Sequence, residues 1–110
     1  WASWCGPCRR ENPNVVAAYQ KFNAKGFDIL GVSLDKEAAS WKEAISEDGL
    51  TWSHVSDLQY WNNAASKLYG VMSIPSNVLL DANGIIIARN LTGDALTSKL
   101  EEVLGGVQGK

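Results

Sequence analysis

At 110 residues and 45% hydrophobic content, the chain is long enough for one buried core and too short for two ordinary domains. Ten Lys and Arg against twelve Asp and Glu leave a net charge of -2, with the basic residues scattered, which excludes the electrostatic footprint of a nucleic-acid binder. No apolar run approaches the roughly 20 residues that a membrane-spanning helix needs.

The chain opens WASWCGPCRRENP, placing both of its cysteines, Cys5 and Cys8, two residues apart at the start of a helical pattern. Residues 9–25 read as a helix with Val15, Ala18, Tyr19 and Phe22 on one stripe, bent by Pro13 and stopped by Gly26. Residues 27–34 (FDILGVSL) are short and mostly apolar, as expected for a strand covered on both faces, and Asp35 begins a turn. Residues 37–47 carry Ala38, Trp41 and Ile45 at helical spacing and end at Asp48-Gly49. A brief extended piece, residues 51–55, follows. Trp61, Ala64, Ala65 and Leu68 form another helical stripe ending at Gly70. After an irregular approach, residues 77–80 read as a strand that pairs antiparallel with IIIAR across Asp81-Ala82-Asn83-Gly84, a strong hairpin turn signal. A last helix over residues 94–104, capped by Thr92 or Asp94, carries Leu96, Leu100, Val103 and Leu104 on one face, and the GGVQGK tail is expected to fray.

Two cysteines are too few for the disulfide framework of a small secreted domain, and so short a loop constrains the chain little. Zinc needs four ligands, and beyond the two thiols the chain offers one histidine, His54; covalent haem needs His after the second Cys, where Arg9 stands. Neither a metal nor a cofactor is expected. In a Cys-x-x-Cys that opens a helix, the first sulfur lies among unpaired N–H groups at the positive end of the helix dipole, which favours its thiolate. Cys5 is the expected nucleophile, and Cys8, one turn on, the resolving thiol. Gly6 allows close approach of a substrate and Pro7 stiffens the link between the sulfurs. Trp4 offers a flat apolar surface to an incoming peptide, or fills the core. Arg9 and Arg10 read as solvated charges, and His54 as a surface or half-buried histidine.

WASWCGPC, a kinked helix, a distant SIP before an apolar strand and an Asn-Gly hairpin together resemble the thioredoxin superfamily. RRENPNVVAAYQKF, the extra helix around DKEAASWKEAI, and YGVMSIPSNVLLDANGIIIARNL make the chain similar to TlpA/ResA-like thiol-disulfide oxidoreductases, an AhpC/TSA-related group, over residues 1–104. The resemblance implies a thioredoxin-like three-layer α/β/α sandwich with a mixed sheet whose first strand is largely missing from this chain, followed by a flexible tail, residues 105–110. It implies exchange of protein disulfides through a redox-active Cys5-Cys8 disulfide, with Cys5 and Cys8 catalytic and Trp4, Gly6, Pro7, Ile74 and Pro75 contacting substrate. Ile74-Pro75 matches the family's cis-proline segment, and Glu11, three residues after Cys8, matches its proton-handling carboxylate; a glutamate complementing the helix dipole is the plainer reading. The implied partners are protein disulfides or dithiols and a membrane or soluble dithiol donor, the implied state is a monomer, and the implied location is extracytoplasmic.

Ser73 stands where the family often has glycine, and Ser76-Asn77 replaces a common threonine pair, departures that bear on substrate preference. With Trp1 rather than Met first, the chain reads as a piece of a longer precursor in which a strand feeds into WASWC. Two rival functions stay open. A thiol peroxidase would use one low-pKa cysteine, although Ala2 stands three residues before Cys5 where that chemistry wants Thr or Ser. A non-catalytic peptide-binding module would use the same groove.

Overall fold

The computed structural model describes residues 1–105; most of the expected tail, residues 106–110, lies outside the described residues. Helix α1 spans Gly6–Phe22 and begins earlier than the periodicity suggests, because Cys5 serves as its N-cap and Pro7 occupies the first turn. Pro13 lies inside it, and the helix continues past. Its inner side carries Cys8, Asn12, Ala18 and Phe22, with a 3-10 turn over Asn23–Lys25 leading into Gly26 at φ 101°.

Strand β1, Leu30–Val32, is shorter than residues 27–34, and the expected cover on both faces fails at Leu30, which is 60% exposed at the edge of a cleft. It pairs parallel with β2, Ser53–Val55, in the register Leu30 with Ser53, Gly31 with His54 and Val32 with Val55. Gly31 is required at that crossing, because a Cβ there would lie 2.6 Å from His54 Nδ1. Between the two strands runs α2, Ala38–Asp48, which ends where Gly49 turns left-handed at φ 66°.

The helix read over residues 61–68 is split. Tyr60–Asn62 make a 3-10 turn and α3 is only Ala64–Leu68, because the Asn63 side chain caps the second piece by accepting the Ser66 N–H at 2.8 Å. Leu68, assigned to an inward stripe, is 81% exposed. Strands β3, Val78–Leu80, and β4, Ile86–Arg89, form the antiparallel hairpin, with a register shift between Leu79 and Leu80. Asp81 organises its turn by accepting the N–H groups of Asn83 and Ile85, and Gly84 supplies φ 81°. Helix α4, Gly93–Leu100, runs into a π turn over Glu101–Gly105.

Parallel and antiparallel strands are both present, in two pairs that face each other across an apolar cleft of about 960 Å³. Trp1 lines it: the Leu34 N–H donates to the Trp1 carbonyl at 2.9 Å and the Trp1 amino group to the Val32 carbonyl at 3.3 Å, pairing Trp1 beside the end of β1. Two buried clusters result. Ala18, Phe22, Leu96 and Leu100 join α1 to α4; Ala2, Cys5, Cys8 and Leu34 join the start of α1 to the end of β1, with Trp1, Trp61 and Ile74 packed against them.

Candidate active site

Cys5 and Cys8 form a disulfide with their Cα atoms 5.2 Å apart, and both are buried, at 5% and 1% exposure. The Cys8 N–H donates to Cys5 Sγ at 3.2 Å, and the Arg9 N–H donates to the Cys5 carbonyl at 3.0 Å. Cys5 Sγ therefore sits where a helix start concentrates unpaired donors and positive potential.

The turn before it is held from three directions. The Cys5 N–H donates to the Ala2 carbonyl at 3.1 Å. Asp35, 1% exposed, accepts the Ser3 N–H on both carboxylate oxygens, at 3.1 and 3.2 Å, and also the hydroxyls of Ser3 and Ser33. On the other side of Ser3, Arg9 Nη1 donates to its carbonyl at 3.0 Å. Arg9 is far from a solvated charge: Nε donates to Asp48 at 2.6 Å and Nη2 to Glu47 at 2.9 Å, tying α1 to the end of α2. Its side-chain hydrogen bonds to Asp48 and Glu47 raise the guanidinium pKa further. Burial alone would raise the Asp48 carboxyl, but hydrogen bonds from Arg9 and Asn12 outweigh it and hold the group below its ordinary range.

Among the residues singled out from sequence, Trp4, Gly6 and Pro7 lie on the surface over the disulfide, Trp4 at 47% exposure with its ring 5.5 Å from that of Tyr60. Arg10 Nη1 lies 3.3 Å from where a Cβ on Gly6 would stand. The Ile74–Pro75 peptide bond is cis, and Ile74 packs against the cysteine cluster. Glu11 lines the cleft with Cys8, but its carboxylate is engaged elsewhere: Oε2 accepts the Gly93 N–H at 2.8 Å, and Oε1 accepts from Asn14 at 3.1 Å. It thereby supplies the cap that Thr92 fails to give α4, since neither Thr92 nor any other N-cap side chain bonds there.

Sequence reading missed Asp35, Arg9, Asp48 and Tyr60. Only Asp35 had a signal, as an acidic residue directly after an apolar strand; Arg9 and Asp48 meet across 39 residues, which no local pattern encodes.

A helix that opens on a cysteine pair, a cis-proline segment packed beside it and flanking strand pairs define a thioredoxin-like α/β domain. The family model described as Redoxin matches residues 1–104. The structure is similar to a thiol-disulfide oxidoreductase from Bacteroides fragilis, at TM-score 0.88 and 38% identity, covering 94% of this chain and 77% of that one. It is also similar to the thioredoxin domain of a thiol-disulfide oxidoreductase from Bacteroides vulgatus, at TM-score 0.87 and 35% identity, covering 94% and 74%. In sequence it is 29% identical to thiol-disulfide oxidoreductase ResA of Bacillus thuringiensis subsp. konkukian, covering 94% of this chain. The thiol:disulfide interchange protein HelX of Rhodobacter capsulatus is 30% identical, covering 96%. The chain spans 58% of the length of each of these two relatives. It belongs to the Redoxin family.

Proposed function

We propose that the chain exchanges thiols and disulfides with protein substrates, acting through Cys5 and Cys8. The observation that carries this reading is the Cys8 N–H donated to Cys5 Sγ at the start of α1, a donor that serves a Cys5 thiolate equally well once the pair is reduced. The Cys5 thiolate attacks one sulfur of a substrate disulfide, forming a mixed disulfide and releasing the first substrate thiolate. Cys8 loses its proton and attacks Cys5 Sγ, releasing the second substrate thiolate and leaving the Cys5-Cys8 disulfide. Two electrons pass to the substrate, and the two thiolates it gains take up protons. A dithiol donor, membrane-bound or soluble, then restores the reduced pair.

Trp4, Gly6, Pro7, Ile74 and Pro75 form the face that meets the substrate, whose extended backbone lies against residues 74–75. Glu11 takes the Cys8 proton; it shares the cleft wall with Cys8, and one carboxylate oxygen can accept a proton while the other keeps Gly93. An extracytoplasmic location, as the resemblance to ResA-like and HelX-like proteins implies, completes the reading, and the chain acts as a monomer.

The test is insulin reduction by the dithiol form. Cys5→Ser abolishes it and Cys8→Ser accumulates a mixed disulfide; undiminished turnover in Cys5→Ser refutes the mechanism. The reduction potential gives the direction: a value near about -270 mV makes the chain a reductant, and one near about -120 mV an oxidant.

A further inference from the structure

Beside the cysteine pair, residues 57–63 form a loop whose backbone is held where its residues do not favour it. Leu58 and Tyr60 are both left-handed, at φ 58° and 57°, a region costly for side chains larger than Gly, Asn or Asp. The loop has its own ties. The Asp57 carboxylate accepts the N–H groups of Gln59 and Ala64 and the Asn63 side-chain amide, at 3.2, 3.1 and 3.0 Å. Ser56 Oγ accepts the Leu58 N–H at 3.1 Å and donates to the Ser33 carbonyl at 2.9 Å, fixing the loop against the end of β1. Trp61 then packs on the cluster containing Cys5 and Cys8.

This constrained backbone does not bury Tyr60. The residue stays 38% exposed, with its ring 5.5 Å from that of Trp4 and Lys36 Nζ 4.6 Å from the ring centroid. Two aromatic rings thus stand side by side at the surface next to the disulfide, with Lys36 at one ring and Arg10 over Gly6. Ring faces attract a further ring at 4.5–7 Å. The two cations repel a basic side chain and favour the electron-rich face of an aromatic one.

We propose that Tyr60 is a specificity-determining residue, forming with Trp4 a shelf that selects protein segments carrying an aromatic side chain beside the cysteine. This rests on the exchange reading above and names its substrate preference. It is tested with two unreactive peptides, in which Ser replaces the substrate cysteine and the neighbouring residue is Phe or Ala, bound to the full oxidised chain and followed by fluorescence anisotropy. The Phe peptide is expected to bind about tenfold more tightly. Tyr60→Phe keeps that ratio, whereas Tyr60→Asn, which tolerates the left-handed backbone, brings it close to 1. Tyr60→Gly, free of any penalty at this φ, is the second variant should Asn fail to fold. Equal affinities in the unaltered chain, or a ratio that survives Tyr60→Asn and Tyr60→Gly, overturn the shelf. Since these peptides cannot exchange, the readings separate: an unaltered chain that reduces insulin but shows no Phe preference sinks the shelf alone, and one that shows the preference but does not reduce insulin sinks the exchange reading alone.

Discussion

The two walls that flank the cysteine pair are built differently. On the side of the Cys5 turn, the Trp1, Ala2 and Ser3 carbonyls and the Ser3 and Cys5 N–H groups all have partners, several of them buried. On the proline side, Val71 is tied to Ser66, and Ser76 and Asn77 to Asn90, but none of residues 72–75 is joined by a hydrogen bond among the described residues, and Met72 is 90% exposed. The first wall fixes the sulfurs. The second leaves backbone donors and acceptors free at the position where an extended substrate would pair with them, which supports affinity with little dependence on substrate sequence. On the shelf proposed above, discrimination comes from Tyr60 and Trp4.

Joining the two walls should change stability most. The edges of β1 and β3 face one cleft, and Trp1 already pairs beside the end of β1. An apolar, β-branched segment added before Trp1 is expected to enter as a strand beside β1, burying two or three side chains for about 5 kcal/mol and raising the melting temperature by about 20 °C. An unchanged melting temperature would show that the cleft does not take a strand.

Next in size is an attack on the fixed wall. Asp35→Ala leaves the Ser3 N–H and the Ser3 and Ser33 hydroxyls without their acceptor, and should cost about 3 kcal/mol in denaturant unfolding, with loss of insulin reduction. Met72→Ser on the other wall should stay within about 0.5 kcal/mol. Similar losses in the two variants would break the asymmetry.

Glu11→Gln separates two duties of one carboxylate. Removing its charge from the start of α4 should cost about 0.5 kcal/mol. On the proposed role as acceptor of the Cys8 proton, its loss should also lower kcat by about 100-fold and displace the pH profile. Lowered stability with an unmoved profile would reduce Glu11 to a helix cap.

What the sequence made legible follows from how local each signal is. The CGPC helix start, the Asp81–Gly84 turn and the first part of the α4 stripe depend on residues within one or two turns of each other and appear near their expected positions, whereas Val103, read on the same inner face, is exposed beyond the end of α4. The split at Asn63 reverses a periodic pattern, because one side chain satisfies a helix start better than continuation does. Arg9, Asp35 and Tyr60 take their roles from partners 39, 32 and 56 residues away, so composition and spacing describe them as solvated, turn-forming or unremarkable. The chemistry of the site was thus legible at its sulfurs, and the long-range contacts that hold them were not.

The smallest expected effect concerns the outer edge of the fixed wall. His54 stacks on Trp52, ring centroids 5.9 Å apart, and meets Trp1 edge-on at 6.0 Å. Its Nε2 donates to the Leu50 carbonyl at 3.1 Å, while the buried Nδ1 has no partner. Burial lowers the His54 pKa below its ordinary 6.5, and the Leu50 hydrogen bond, which acts the other way, is too weak to restore it. The unfolded chain therefore binds the proton first as pH falls. The stability associated with neutral His54 is complete above about pH 6.5 and declines as pH drops toward the lower folded value. His54→Phe keeps an aromatic ring in the stack and has nothing to titrate, so its melting temperature should fall less between pH 7 and pH 5 than that of the unaltered chain. Parallel pH dependence in the two proteins would show that burial of His54 contributes nothing to acid sensitivity in this range.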